Sequence, residues 1–285
     1  VRLLTLGSLA SCLRIVAPQA PLNASQLGDF FAGCVREWRQ LGDAKDVYHG
    51  ETFFLLESVA SVKSIVLLFE TADWEARWGA IWRLTEELLQ NETGTLSRPV
   101  QQSLLELHQA LLEDAPTVPK AVWQQLGLLA GAKPPSDFSR ALWQAAGEAL
   151  AAPLAQLLHR AYLDHQASCA QGENDEHDEE TLTRLHEQIP RIASAAALAG
   201  GCLEQLLQEL TVEEGEVRSL AVTALGHCLQ RGLGNQALSV WLQRRHDRLV
   251  SVRLAWCTAA VPLIPTNPAV AEAVQDRLCD PEERV

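Results

Sequence analysis

The chain has 285 residues, with 23 Lys plus Arg against 36 Asp plus Glu and a formal net charge of −13. That acidity disfavours direct binding of nucleic acid by the chain taken whole, because Lys and Arg must replace the counterions condensed on a phosphate backbone. Leu and Ala dominate and β-branched runs are scarce, which favours a helical array over a sheet protein; nothing caps such an array at this length.

From the N-terminus, VRLLTLGSLASCLRI predicts a helix ending near Val16. Ala17-Pro18-Gln19-Ala20-Pro21 stops it, because two prolines remove donors and push the preceding residues out of the α region. By residue type alone this is a stiff, helix-breaking elbow. Ser25 is the expected cap of the next helix, QLGDFFAGCVREWRQL. The stretch Glu51 to Glu70, ETFFLLESVASVKSIVLLFE, then predicts one continuous helix. Leu55, Val59, Val62, Val66 and Phe69 form one apolar stripe, Leu56, Ala60 and Leu67 a second, and Phe54, Ile65 and Leu68 a third. Glu57, Ser58, Ser61, Lys63 and Ser64 are left for water. Such a helix needs neighbours on two sides. Glu57 and Lys63 near its middle argue against a bilayer and for the inner helix of an α-solenoid.

Thr71 or Asp73 is placed to cap WEARWGAIWRLTEELLQ, whose Trp74, Trp78, Ile81 and Trp82 share one face expected to be core, and Gly94 ends it. Ser97 with Pro99 opens a helix to about Glu113, and Pro119 opens one that ends at Gly131. Lys133-Pro134-Pro135 breaks the chain, Ser136 recaps it, and Pro153 marks a kink or a new start. Residues 171–180, QGENDEHDEE, read as a solvated acidic loop, with helices resuming near Thr181.

Over 203–285 the sequence repeats itself. Val217-Arg218-Ser219-Leu220-Ala221 recurs 35 residues later as Val252-Arg253-Leu254-Ala255-Trp256, each after acidic residues (Glu213, Glu214; Asp247), and a third copy begins at Asp280-Pro281-Glu282-Glu283. An acidic residue, then Val-Arg, then an Ala/Leu helix is the pattern of HEAT repeats. The acid favours the positive end of the helix, and the Arg can reach an acidic partner in the adjacent unit, which predicts a ladder between repeats. Helix starts near 27, 73, 119, 151, 191, 235 and 268 give pairs of about 40 residues. The fold expected over 1–285 is therefore all-α, a HEAT-repeat α-solenoid or superhelix of antiparallel helix pairs. A start in mid-helix and a stop inside DPEERV suggest a piece of a longer chain.

No reaction centre is apparent. His159, His165, Cys169 and His177, spaced H-x5-H-x3-C-x7-H, match no common zinc pattern and read as surface helix and loop. There is no G-x-x-x-x-G-K-[ST], G-x-S-x-G or H-E-x-x-H, so no catalytic residue, cofactor or metal is expected. Gly232-Leu233-Gly234 reads as a turn. Cys12, Cys34, Cys169, Cys202, Cys228, Cys257 and Cys279 lack framework spacing and read as small buried apolar residues in a reducing compartment. Arg244, Arg245, His246, Arg248 and Arg253 form the one basic cluster, read as a solvated turn plus the ladder rather than a docking patch for a phosphorylated partner. No membrane span is visible.

Three stretches, taken in order, carry a resemblance. They are Leu9-Ala10-Ser11-Cys12-Leu13-Arg14-Ile15-Val16 with the Ala17 to Pro21 elbow, then Phe54-Leu55-Leu56-Glu57-Ser58-Val59-Ala60-Ser61-Val62-Lys63-Ser64, and finally Val252-Arg253-Leu254, Asn267-Pro268 and Asp280-Pro281-Glu282-Glu283. They resemble the L-R-I helix end with A-P-[DE]-A-P, the L-L-E-x-[IV]-A-x-V-K-S helix and a later repeat of the cohesin-associated regulators called precocious-dissociation-of-sisters proteins. The resemblance implies a non-enzymatic, chromatin-associated nuclear scaffold that binds the kleisin subunit of the cohesin ring. It also implies recruitment of the wings-apart-like releasing factor or, competitively, a cohesion-protecting factor. Carried over, Ala17, Pro18, Gln19, Ala20 and Pro21 would receive a short Tyr-Ser-Arg motif of those partners. Gln19 stands where the family has an acid, which removes a charge-assisted bond that a carboxylate could make to the incoming Arg. Glu57, Ser61 and Lys63 would contact kleisin, although Lys63 is equally suited to a salt bridge with an adjacent repeat. The repeat features alone also suit a HEAT/armadillo-type transport or trafficking adaptor, or the scaffold subunit of an enzyme complex.

Overall fold

Alternation of Leu/Ala-rich runs with Pro, Gly and Asx punctuation dictates short helices, and the computed structural model shows them. It describes residues 1–16, 22–90, 96–131, 137–147, 149–150, 153–154, 188–197, 203–232 and 235–282. The elbow at 17–21, Gly94, the 133–136 break, the acidic loop, the His159 to His177 cluster and Cys202 lie outside these residues. All regular structure among the described residues is helical, and the chain forms two compact units, Val1–Gln125 and Leu126–Val285.

In the first unit, α1 (Arg2–Val16), α3 (His49–Ser61) and α5 (Arg98–Asp114) pack side by side as one row, while α2 (Ala24–Trp38) packs on α4 (Trp74–Gln90) in another. Contact between every second helix is the layout of stacked helix pairs. The start of α2 differs from expectation. Asn23 caps it, its side chain accepting from the Gln26 amide at 2.9 Å while the Asn23 amide donates to Gln26 Oε1 at 3.0 Å. This reciprocal pair satisfies two end donors at once and leaves Ser25 inside the first turn. At α4 the Asp73 carbonyl takes the Arg77 amide, whereas the Thr71 hydroxyl donates back to Leu68 O at 2.7 Å.

The expected continuous helix from 51 to 70 is broken. α3 ends at Ser61, Lys63 adopts a left-handed conformation (φ 52°), and a 3-10 segment, Ser64–Glu70, leaves at 73° to α3. The left-handed region costs a residue with a Cβ about 1 kcal/mol, and packing offsets it. Ser64, expected to face water, is buried with its hydroxyl on Val59 O at 3.2 Å, and Ile65 and Leu68 enter the core. Ser58 is buried too, while Phe54, expected to be buried, is 49% exposed. No single described helix is long and apolar enough to cross a membrane.

Tryptophans hold this unit together. Trp38 and Trp78 are fully buried, and the Trp78 ring meets Phe69 edge-on with centroids 5.9 Å apart. Trp82 stacks at 4.0 Å on His108, which is itself fully buried. The Thr85 hydroxyl donates to Ile81 O at 3.0 Å, so it must accept from His108 Nε2–H, 2.8 Å away. Burial pulls the His108 imidazole down to about 3, which keeps it neutral. The unfolded chain binds the proton near pH 6.5, so the contribution of His108 to stability is intact above that pH and drains away as pH falls toward 3. We expect the stability advantage of the wild-type chain over His108→Asn to shrink by up to about 1.4 kcal/mol per pH unit below pH 6, measured by urea melts at a series of pH values. A constant gap would contradict the neutral buried ring.

The unit boundary falls within α6 (Lys120–Gly131). The second unit includes α7 (Asp137–Ala146), α8 (residues 188–197), α9 (Leu203–Glu209), α10 (Gly215–Gln230), α11 (Asn235–Gln243), α12 (Val250–Ala260) and α13 (Pro268–Gln275). Its tightest pairing is α10 on α12, where a Cβ built on Gly226 would lie 2.7 Å from Ala259 Cβ. Trp241 is pinned beside this contact, donating to Val222 O at 2.8 Å and packing on Trp256 at 5.1 Å. Gly226→Ala should therefore destabilise the unit. Overpacking costs about 1–3 kcal/mol, more than the helix propensity of Ala returns (about 1 kcal/mol). A lowered Tm for the variant is the expected reading, and a raised one would show that α10 and α12 part easily.

The ladder expected from the repeated Val-Arg is present. Arg218 Nε and Nη2 donate to the two carboxylate oxygens of Asp247, both at 2.9 Å, while Nη1 donates to Val212 O and Glu213 O at 2.7 Å. Thirty-five residues on, Arg253 repeats the arrangement, reaching Asp280 at 2.9 Å twice and Asp247 O at 3.0 Å. Each acid also accepts from the amide two residues later, Leu249 or Glu282, at 3.0 Å. Burial alone would push the Asp247 carboxyl up, but the bonds from Arg218 and Leu249 outweigh it and hold the acid below its usual range. The bond from Arg253 and that from Glu282 bring the Asp280 carboxyl down to about 2.

Cys34 and Cys228 are buried and their thiols are pushed up by burial, but Cys12 and Cys279 are exposed, which corrects the expectation of uniformly buried cysteines. At Cys12 the helix turns its 100° per residue away from Leu13, which lies in the core.

Candidate partner-binding surface

Of the expected contact residues, Glu57 and Ser61 are exposed on α3. They sit one turn apart on its exposed side, whereas Leu55, Leu56, Val59 and Ala60 are buried. Phe54 joins them, a residue that periodicity had placed in the core. Lys63 is exposed but engaged. Its Nζ lies 2.6 Å from Glu113 at the end of α5, the inter-repeat bridge weighed as its structural role. The Lys63 bond, followed by one from Gln109 at 2.7 Å, holds the Glu113 carboxyl below its usual range, and Glu113 in turn raises the Lys63 ammonium. The pair is solvent-exposed, so it is worth at most about 1 kcal/mol.

Ala17, Pro18, Gln19, Ala20 and Pro21 fall outside the described residues, between the end of α1 at Val16 and the Asn23 cap of α2. In the basic cluster, Arg244 lies 3.6 Å from Asp247 and donates to Leu210 O, Arg245 lies 3.5 Å from Asp276, and Arg253 belongs to the ladder. These cations are spent within the fold. Among the described residues no group of three or more His, Cys, Asp or Glu is placed to hold a metal ion.

Stacked helix pairs and an Arg–Asp ladder between repeats define an all-α HEAT-repeat fold. The family model of the sister chromatid cohesion protein PDS5 matches residues 1–285, and the chain belongs to that family. It is 24% identical to sister chromatid cohesion protein pds5 of Schizosaccharomyces pombe and 25% identical to PDS5 homolog A of Mus musculus, each over 100% of this chain. PDS5 homolog B of Gallus gallus is 30% identical over 41% of the chain and 8% of its own length. The chain spans only 25% and 22% of the length of the first two relatives. The fold matches a solved Pds5–Scc1 complex with a TM-score of 0.64 at 18% identity, covering 99% of this chain and 44% of that one.

Proposed function

We propose that this chain is part of a non-enzymatic cohesin regulator of the nucleus, which holds the kleisin subunit along the exposed ridge of α3 and controls sister chromatid cohesion. The observation that carries this is the family match over all 285 residues; a related Pds5 has been solved with Scc1 on the same fold. The exposed Glu57 and Ser61, one turn apart on α3, suit such a role. The elbow from Ala17 to Pro21 would recruit the wings-apart-like factor or a cohesion-protecting factor through their Tyr-Ser-Arg motif. Two prolines fix its backbone before binding, so little ordering entropy is lost on association.

Capture of purified kleisin by the 285-residue chain is the expected result of a pull-down, and no capture would overturn the reading. Pro18→Ala with Pro21→Ala should abolish binding of a Tyr-Ser-Arg peptide, measured by fluorescence anisotropy, at unchanged helicity by circular dichroism. Unaltered peptide binding would remove the elbow from the site.

A further inference from the structure

The two rungs of the Arg–Asp ladder meet at one residue. The Asp247 carboxylate accepts twice from Arg218 of α10, and the Asp247 backbone carbonyl accepts from Arg253 Nη1 of α12 at 3.0 Å. Arg253 spends its remaining donors on Asp280, twice at 2.9 Å. One run of bonds thus leads from the turn before α10 through Arg218, Asp247 and Arg253 to Asp280. The turn that carries Asp247 is braced by further bonds. Its amide donates to Arg244 O at 3.0 Å, its Oδ1 accepts from the Leu249 amide at 3.0 Å, and the Arg244 guanidinium lies 3.6 Å from Oδ2. Asp280 repeats this clasp, with Arg277 three residues before it at 2.8 Å and the Glu282 amide two residues after it at 3.0 Å. The side chains of both rungs are withdrawn from water, Arg253 and Asp280 being 11% and 2% exposed, so the bonds polarise and support one another.

We propose that Asp247 couples the two rungs, so that the repeats carrying α10 and α12 open as one cooperative body and a break at Arg253–Asp280 reaches Arg218. The direction of the Asp247 carboxylate is set by its backbone, and Arg253 holds that backbone. Without Arg253, the carbonyls of Asp247 and Arg248 lose donors at 3.0 and 3.4 Å and the turn relaxes. Two parallel bonds to a planar guanidinium demand close alignment of the acid, so the pairing with Arg218 loosens in turn. Repeats in a solenoid ordinarily answer to their neighbours through the packed interface alone. Here the close contact of Gly226 with Ala259 supplies that interface, and the ladder adds a polar path beside it. A disturbance entering at Asp280 is then carried through α12 into α10, by a hydrogen-bond network with a named residue at its centre.

Native-state hydrogen exchange of the 285-residue chain reads α10 and α12 separately. Arg253→Ala should speed exchange of the α10 amides about tenfold, and the further effect of Arg218→Ala should be several-fold smaller in that background than in the wild-type chain. Exchange that rises in α12 and α13 alone, or an Arg218→Ala effect of the same size in both backgrounds, overturns the coupling. Val270→Ala is the control, since it loosens a fully buried position of α13 outside the ladder. It should leave the Arg218→Ala effect unchanged; a reduction equal to that from Arg253→Ala would assign the coupling to packing and overturn the role of Asp247. Should Arg253→Ala unfold the second unit by circular dichroism, Asp280→Asn takes its place, weakening the same rung while keeping its shape. That variant should speed the α10 amides about threefold, and α10 exchange at the wild-type rate would overturn the proposal.

Discussion

Arg218→Ala is expected to destabilise the second unit by about 3–5 kcal/mol, the cost of leaving one partner of a buried ion pair uncompensated. Both side chains of the Arg218–Asp247 pair are only 4% exposed, so water cannot take over when the guanidinium is removed. The loss reaches further than the carboxylate, because Arg218 also satisfies Val212 O and Glu213 O in the turn before α10. Arg218→Lys should recover part of the loss at most, since an ammonium cannot donate two parallel bonds to Asp247 and also reach both carbonyls. Arg218→Ala with Asp247→Ala should cost less than the sum of the single changes. Native-state hydrogen exchange of the α10 amides measures the effect locally, which suits a chain of two units that need not unfold together. If Arg218→Ala cost under 1 kcal/mol, the ladder would be ornamental.

Trp78→Ala should cost the first unit about 3–5 kcal/mol, the range for removing a large aromatic side chain from a core. The ring is fully buried and serves as the edge-on partner of Phe69 from the 3-10 segment, so its loss opens a void between α4 and the residues that follow the kink. Trp78→Phe should cost much less, about 1–2 kcal/mol, because it keeps a ring and deletes an indole N–H that has no acceptor among the described residues. Urea melts followed by circular dichroism would separate the two. Equal losses for Ala and Phe would mean that the indole N–H is satisfied after all.

The ladder was legible before the fold was known because Val-Arg and its acids repeat, and repetition reports on the contact between repeats as well as on each helix. The helix starts at Pro119 and Pro268 were legible for the simpler reason that proline is tolerated in a first turn and excluded further in. The break at Lys63 was not. Lysine followed by serine is no stop signal, and the left-handed φ there is stabilised by burial of Ser64, Ile65 and Leu68, which only tertiary packing decides. The exposure of Phe54 was hidden for the same reason, since a straight helix crowded on all sides would have covered it. At α2 both Asn23 and Ser25 are good caps, and Gln26, three residues after Asn23, was the overlooked discriminator.

The kink at Lys63 also limits how far a straight edge along α3 can run. Unbroken, the helix from Glu51 to Glu70 would extend about 30 Å, whereas the 13 residues of α3 span about 20 Å. A strand laid along that edge exhausts it in about six residues. Beyond Ser61 the backbone swings away by 73°, so the straight edge of α3 ends there.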